Sequence, residues 1–214
     1  MTTIEIISDP ICPWCYIGKT RFEAALAKRP DHPFEISWKP FQLNPTMPPE
    51  GMDRRAYLEQ KFGGKEGAEQ AYSSIVSAAK GDGLDIKIDK IERTPNTIDA
   101  HRLIHWAGIE GLQNEVVAAL FVANFEKGQD ISDHSVLADI AESTGMDRAV
   151  IERLLASDAD ISETRAQDDI AREMGVNGVP TFLIDGQYVV SGAREESFWV
   201  DIIDEINSLK AQSE

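Results

Sequence analysis

Residues 3–8 form a β-branched run, Thr3-Ile4-Glu5-Ile6-Ile7-Ser8, that predicts a first strand. Residues 34–38 alternate apolar and polar positions and predict a second. Residues 16–28 between them read as a helix ending near Arg29-Pro30, so the two strands are parallel if they share a sheet. Residues 39–51 carry four prolines in thirteen positions, an extended connector leaving this first α/β segment. From residue 53 to about 175 strand signals nearly vanish. Residues 54–62, 65–80, 97–109, 112–127, 134–144, 147–156 and 161–174 read as helices, with apolar residues such as Val116, Val117, Leu120, Phe121 and Phe125 at helical spacing. Glycines punctuate them, at Gly63, Gly81, Gly111, Gly128, Gly145 and Gly175 among others. Residues 84–88 alternate and read as an extended link.

Strand signals return at residues 180–184 and 188–191. Asp185-Gly186 between them is a hairpin signal. Residues 195–210 form a closing amphipathic helix with Phe198, Ile202, Ile203 and Ile206 on one face, and the last four residues read as disordered. The order is therefore β-α-β, a helical block, then β-β-α. Neither end buries both faces of its strands alone, and the simplest solution joins them in one sheet. That predicts an α/β chain with a thioredoxin-like fold and a large all-helical insertion: residues 1–50 and 176–214 form the discontinuous outer domain, and 51–175 the insertion.

Composition narrows the function. At 214 residues, 42% hydrophobic and 27% charged, the chain can bury a sizeable core as one large domain or two small ones. No apolar run nears the ~20 residues of a membrane span, and the first residues carry no export-type segment, so a cytoplasmic location is expected. A net charge of -16 with 21 scattered Lys and Arg disfavours nucleic acid and anionic membranes as partners. No G-x-S-x-G, P-loop or G-x-G-x-x-G pattern points to another enzyme class.

The two cysteines, Cys12 and Cys15, stand three positions apart in Cys12-Pro13-Trp14-Cys15. Such a pair cannot staple distant segments. Placed between a strand and a helix it suggests redox work or half a zinc site. Zinc would need two more ligands, for which His101 and His105 share a helical face, but the spacing supplies only half of a structural zinc signature. In the redox reading Cys12 sits where unpaired N–H groups favour a thiolate, with a pKa lowered into roughly the 3.5–7.5 range of such sites. Pro13 suits the first helical position. Cys15, one turn in, is expected to be more buried, protonated and the resolving thiol. Trp14 either shields the sulfurs or is a tolerated surface aromatic. Pro13-Trp14 should tune the redox poise.

The order of elements, this motif, and Gly178-Val179-Pro180-Thr181 before the hairpin resemble the DsbA-like thiol oxidoreductases. Residues 8–18, Phe41-Gln42-Leu43-Asn44-Pro45 and residues 96–102 resemble its cytoplasmic FrnE-like branch. The sister branch of 2-hydroxychromene-2-carboxylate isomerases and kappa-class glutathione transferases has Ser in place of Cys12. Some FrnE-like proteins carry a second cysteine pair, absent here. The resemblance implies a dithiol-disulfide oxidoreductase, with a glutathione-dependent isomerase or transferase as the alternative. It implies a cis peptide at Pro180, with the Val179 backbone opposite Cys12 to hold a protein or small-thiol substrate.

It also brings Asn96 and His101 toward the cleft, where capping of the helix and plain packing are the competing roles. Gly192 and Ala193 precede the last helix, whose N-terminus could hold a glutathione carboxylate, although Glu195 and Glu196 compete for that place. No cofactor or metal is required, glutathione is a candidate co-substrate, and the apolar face at residues 112–125 serves the core or a homodimer interface.

Overall fold

The computed structural model describes residues 1–211, so the expected disorder of the last four residues lies, apart from Ala211, outside the described residues. Strand β1 (Thr2–Ser8) runs parallel to β2 (Phe34–Pro40), with helix α1 (Pro13–Lys28) as the crossover. Strand β5 (Thr181–Ile184) pairs antiparallel with β1 on the other side, and β6 (Tyr188–Ser191) pairs antiparallel with β5. The order β2-β1-β5-β6 joins the two chain ends in one mixed sheet, as the sequence predicts. The hairpin turn places Asp185 and Gly186 at φ 49° and 65°, the left-handed pair that an Asp-Gly turn requires. Asp185 Oδ1 also accepts the Thr3 N–H at 2.7 Å, tying the turn to β1.

One face of the sheet buries Ile4, Ile6, Phe182 and Ile184 against α1 and α9 (Glu196–Ala211). Trp199 of α9 lies 4.8 Å from the Phe22 ring and 4.6 Å from Phe182, so one aromatic cluster fixes both helices on the sheet. On the other face Ile7 and Phe41 pack with Ala171.

Between β2 and β5 the chain is helical: α2 (Arg54–Phe62), α3 (Lys65–Gly81), α4 (Ile98–Glu110), α5 (Gln113–Phe121), α6 (His134–Thr144), α7 (Arg148–Leu155) and α8 (Ile161–Glu173). Two expectations are corrected here. The segment is not purely helical, because β3 (Met52–Asp53) and β4 (Arg93–Thr94) form a two-residue antiparallel ribbon. Strands this short carry no periodicity to read. The helix expected over residues 112–127 ends at Phe121, and Val122–Glu126 continue as a π-helical turn, to which apolar spacing is blind. No helix among the described residues is long and apolar enough to cross a membrane.

Candidate active site

Strand β1 delivers the chain to a tight turn in which the Cys12 N–H bonds to the Asp9 carbonyl at 2.9 Å. Cys12 is the N-cap residue of α1 in an extended conformation, and Pro13 opens the helix, where its missing N–H leaves no bond unmade. No acidic residue occupies the first turn. Both cysteines are free thiols, with Cys12 5% and Cys15 1% exposed. Burial pushes the Cys15 thiol well above its usual range, and the adjoining Cys12 sulfur adds to this; the Ser8 hydroxyl and Asp9 backbone N–H oppose it. Trp14 is 36% exposed, on the surface between the two.

Opposite the dithiol, the Cys12 thiol donates to the Val179 carbonyl at 3.5 Å, and the Val179–Pro180 peptide is cis. The Gly192 N–H bonds to the Pro180 carbonyl at 2.8 Å. Gly18 explains how these loops approach α1. A Cβ there would stand 2.9 Å from Pro180 Cγ and 3.4 Å from Ala193, so only glycine admits the contact. Cys12, Cys15, Pro13, Val179, Pro180, Gly192 and Ala193 thus come together around the start of α1. Glu195 and Glu196, expected to compete for the start of α9, are ion-paired with Arg21 and Lys28. A cavity of about 450 Å³ begins at Val179 and Pro180 and runs along Ile7, Leu183 and Val189.

Asn96 is held by the connector after β2, and His101 lies beside Asp9. Asn96 Nδ2 donates to the Met47 carbonyl at 2.7 Å while its Oδ1 accepts the Ile98 N–H at 3.0 Å, so it pins the connector to the first residue of α4, whose N-cap position is Thr97. His101 is 3% exposed, and its Nε2 has no hydrogen-bond partner among the described residues. The nearest acid is Asp9, whose Oδ1 is 3.9 Å away. Burial lowers the His101 pKa to about 3, against a bond to the Phe41 backbone that raises it. Asp9 is 0% exposed and accepts the N–H groups of Ile11 at 3.3 Å and Leu43 at 2.7 Å. Burial nevertheless pushes its carboxyl up to about 7, outweighing those bonds, the Thr97 hydroxyl and Lys61. Sequence reasoning singled out His101 and missed Asp9. An acid close behind the buried Ile6-Ile7 pair and directly before Pro10 was the available signal. Among the described residues no three of His, Cys, Asp and Glu converge as metal ligands would.

With this geometry in place, the chain can be set beside known proteins. Residues 3–204 match the model of the family described as DSBA-like thioredoxin domain. The crystal structure of a probable DsbA oxidoreductase, SCO1869 from Streptomyces coelicolor, superposes with a TM-score of 0.85 at 31% identity, covering 96% of this chain and 89% of that one. A 2-hydroxychromene-2-carboxylate isomerase shares the fold with a TM-score of 0.72 at 20% identity over 99% of this chain and 97% of its own. So does the cytosolic disulfide reductase DsbM from Pseudomonas aeruginosa, with a TM-score of 0.69 at 18% identity over 97% and 99%.

Proposed function

The chain belongs to the DSBA-like thioredoxin domain family, and from that premise we propose that it is a dithiol-disulfide oxidoreductase of the FrnE-like kind, working in the cytoplasm on protein or small-thiol disulfides. The observation that carries the reading is the dithiol itself: two free, adjoining thiols at the start of α1, with the Cys12 sulfur against the Val179 carbonyl. In the reductive direction the Cys12 thiolate attacks one sulfur of a substrate disulfide, forming a mixed disulfide and releasing the first substrate thiolate. Cys15, deprotonated, then attacks the Cys12 sulfur; the Cys12–Cys15 disulfide forms and the second thiolate leaves. The substrate gains two electrons, the dithiol loses two, and the two thiol protons end on the released thiols. A thiol reductant such as glutathione returns the pair to its starting state. Val179 and Pro180 hold the substrate strand while this happens, and Trp14 and Pro13 face it from α1. No cofactor or metal enters any step.

Insulin reduction with glutathione as the electron source tests the reading. Cys12→Ser should lower kcat/KM at least about 1000-fold, because it removes the nucleophile. Cys15→Ser should accumulate a mixed disulfide on Cys12, visible by intact mass. An active Cys12→Ser variant would sink the proposal and favour a glutathione-dependent isomerase or transferase.

A further inference from the structure

Side chains alternate along β1, so Ser8 follows Thr2, Ile4 and Ile6 on the face that packs against α1 and α9, and all four are buried. Ile7 belongs to the other set and packs on the opposite face with Phe41 and Ala171. The middle of the inner row is apolar, and Ser8 closes it with a hydroxyl at the end from which the chain turns into Cys12. Cys15 shares one cluster with Ile4 and Ile6, so α1 lays its second cysteine over this row. Two groups favour a thiolate at Cys15 by hydrogen bonding to its sulfur, the Ser8 hydroxyl and the Asp9 N–H. Among the described residues the Ser8 hydroxyl has no oxygen or nitrogen partner. The hydroxyls of Ser74, Ser143, Ser157 and Ser208 differ, each returning to a carbonyl three or four residues back in its own helix or turn. Ser8 is thus a buried hydroxyl whose partner is a thiol.

The segment that carries both donors is fixed on several sides. The Ser8 carbonyl accepts the Phe41 N–H at 3.1 Å, and the Asp9 carbonyl accepts the Cys12 N–H at 2.9 Å. The Asp9 carboxyl accepts the N–H groups of Ile11 at 3.3 Å and Leu43 at 2.7 Å. On the helix side the Cys15 N–H is bonded to the Cys12 carbonyl at 3.0 Å. Neither donor has to move when charge appears on Cys15, which is how fixed dipoles assist a buried anion. Burial and the adjoining Cys12 sulfur both work against that charge. The resolving attack needs it, because the thiolate and not the thiol is the nucleophile.

We infer that Ser8 serves the resolving half of the reaction: its hydroxyl, together with the Asp9 N–H, is the donor pair that holds the Cys15 thiolate while it attacks the mixed disulfide on Cys12. Cys15 gives its proton to solvent, and its sulfur attacks that of Cys12. The Cys12–Cys15 bond forms, and the substrate sulfur leaves with the electron pair of the broken bond. The first attack, by Cys12 on the substrate, makes no use of Ser8. The inference rests on the proposed dithiol chemistry and adds a residue to its second step.

Rapid mixing of the reduced protein with excess dithiobis(nitrobenzoate) separates the two steps, since each releases one coloured thiolate. The first release marks attack by Cys12. The second marks displacement by Cys15, and its rate does not depend on reagent concentration because it is intramolecular. Losing a hydrogen bond to the anion lowers the thiolate population by about 10-fold or more, and the greater nucleophilicity of the remaining thiolate returns part of that. Ser8→Ala should therefore slow the second release by about 3–10-fold and the first by under about 2-fold. Ser8→Thr and Ser8→Val add the same branch and differ by one hydroxyl. The ratio of the two rates should stay at the parent's value in Ser8→Thr and drop to that of Ser8→Ala in Ser8→Val, a contrast that packing alone does not produce. An unchanged second release in Ser8→Ala, equal slowing of both releases, or Ser8→Val matching Ser8→Thr would each overturn the inference. Should the branched variants fail to fold, the rate ratio in Ser8→Ala decides alone. A parent whose second release is absent, or rises with reagent concentration, refutes the proposed function itself, because Cys15 then resolves nothing.

Discussion

Arg102 and Arg54 are both buried guanidinium groups on helices between β2 and β5, and their surroundings are opposites. Arg102, 1% exposed, donates to Asp99 Oδ1 and to the carbonyls of Leu154, Ser157 and Ala159, all at 2.6–2.7 Å. It also lies 4.9 Å from the Trp106 ring centroid. Arg54 has two hydroxyls and an unpartnered Nε. A saturated buried charge closes a structure, here by stapling the loop between α7 and α8 onto α4. An unsaturated one keeps a desolvation cost that its partners do not offset. The same side chain in the same kind of burial therefore staples the structure in one place and has few partners in the other.

The largest expected effect tests the architectural half. Arg102→Met should destabilise the protein by about 3–5 kcal/mol, since it leaves a carboxylate and three carbonyls without their donor. Chemical unfolding would read this as a lower midpoint at unchanged slope. A loss under about 1 kcal/mol would mean that water replaces the guanidinium without penalty, and burial alone would no longer distinguish the two arginines.

A second buried pair, Asp9 and His101, sits between these extremes, because it is satisfied on one side only. His101 has its folded pKa depressed from 6.5 to about 3, so the stability it contributes is present above 6.5 and lost as pH falls. Asp9 has its folded pKa raised from 3.8 to about 7, so its contribution is present below 3.8 and lost as pH rises. Between these limits the folded pair holds one proton, on Asp9, and the unfolded pair also holds one, on His101. The two slopes cancel. Single variants should unmask them. Asp9→Asn should lose about 3 kcal/mol of stability relative to the parent as pH drops from 6.5 to 4, and His101→Gln about 3 kcal/mol as pH rises over the same range. Urea titrations at three pH values suffice, and parallel shifts for both variants would refute the shared-proton account.

These contrasts also mark where the sequence was legible. The sheet could be read, because the β-branched run at residues 3–8, the apolar-polar alternation at residues 34–38 and the Asp-Gly turn leave few ways to close it. The placement of Cys12 and Pro13 could be read too, since a strand, a proline and a helix follow within a few residues. Long-range polar pairing could not. Asp9 meets Leu43 and His101, and Arg54 meets Tyr72 and Thr94, across separations that no local period encodes. The ribbon of β3 and β4, which sets Arg54 beside Thr94, was too short to register. An absent counter-ion leaves no trace in a sequence, and Arg54 went unnoticed for that reason.

The smallest expected effect is also the one that most sharpens the comparison. Removing an unpaired buried charge takes away its desolvation cost together with its two hydroxyl bonds, so Arg54→Met should change stability by no more than about 1 kcal/mol in either direction. Unfolding measured beside Arg102→Met under one condition gives the contrast directly: two arginine-to-methionine changes, both buried, several-fold apart in cost. A loss of 3 kcal/mol or more at Arg54 would show that Thr94 and Tyr72 depend on the guanidinium as Asp99 and its neighbouring carbonyls depend on Arg102. The two arginines would then be equivalent staples, and the number of partners would not set the cost of losing one.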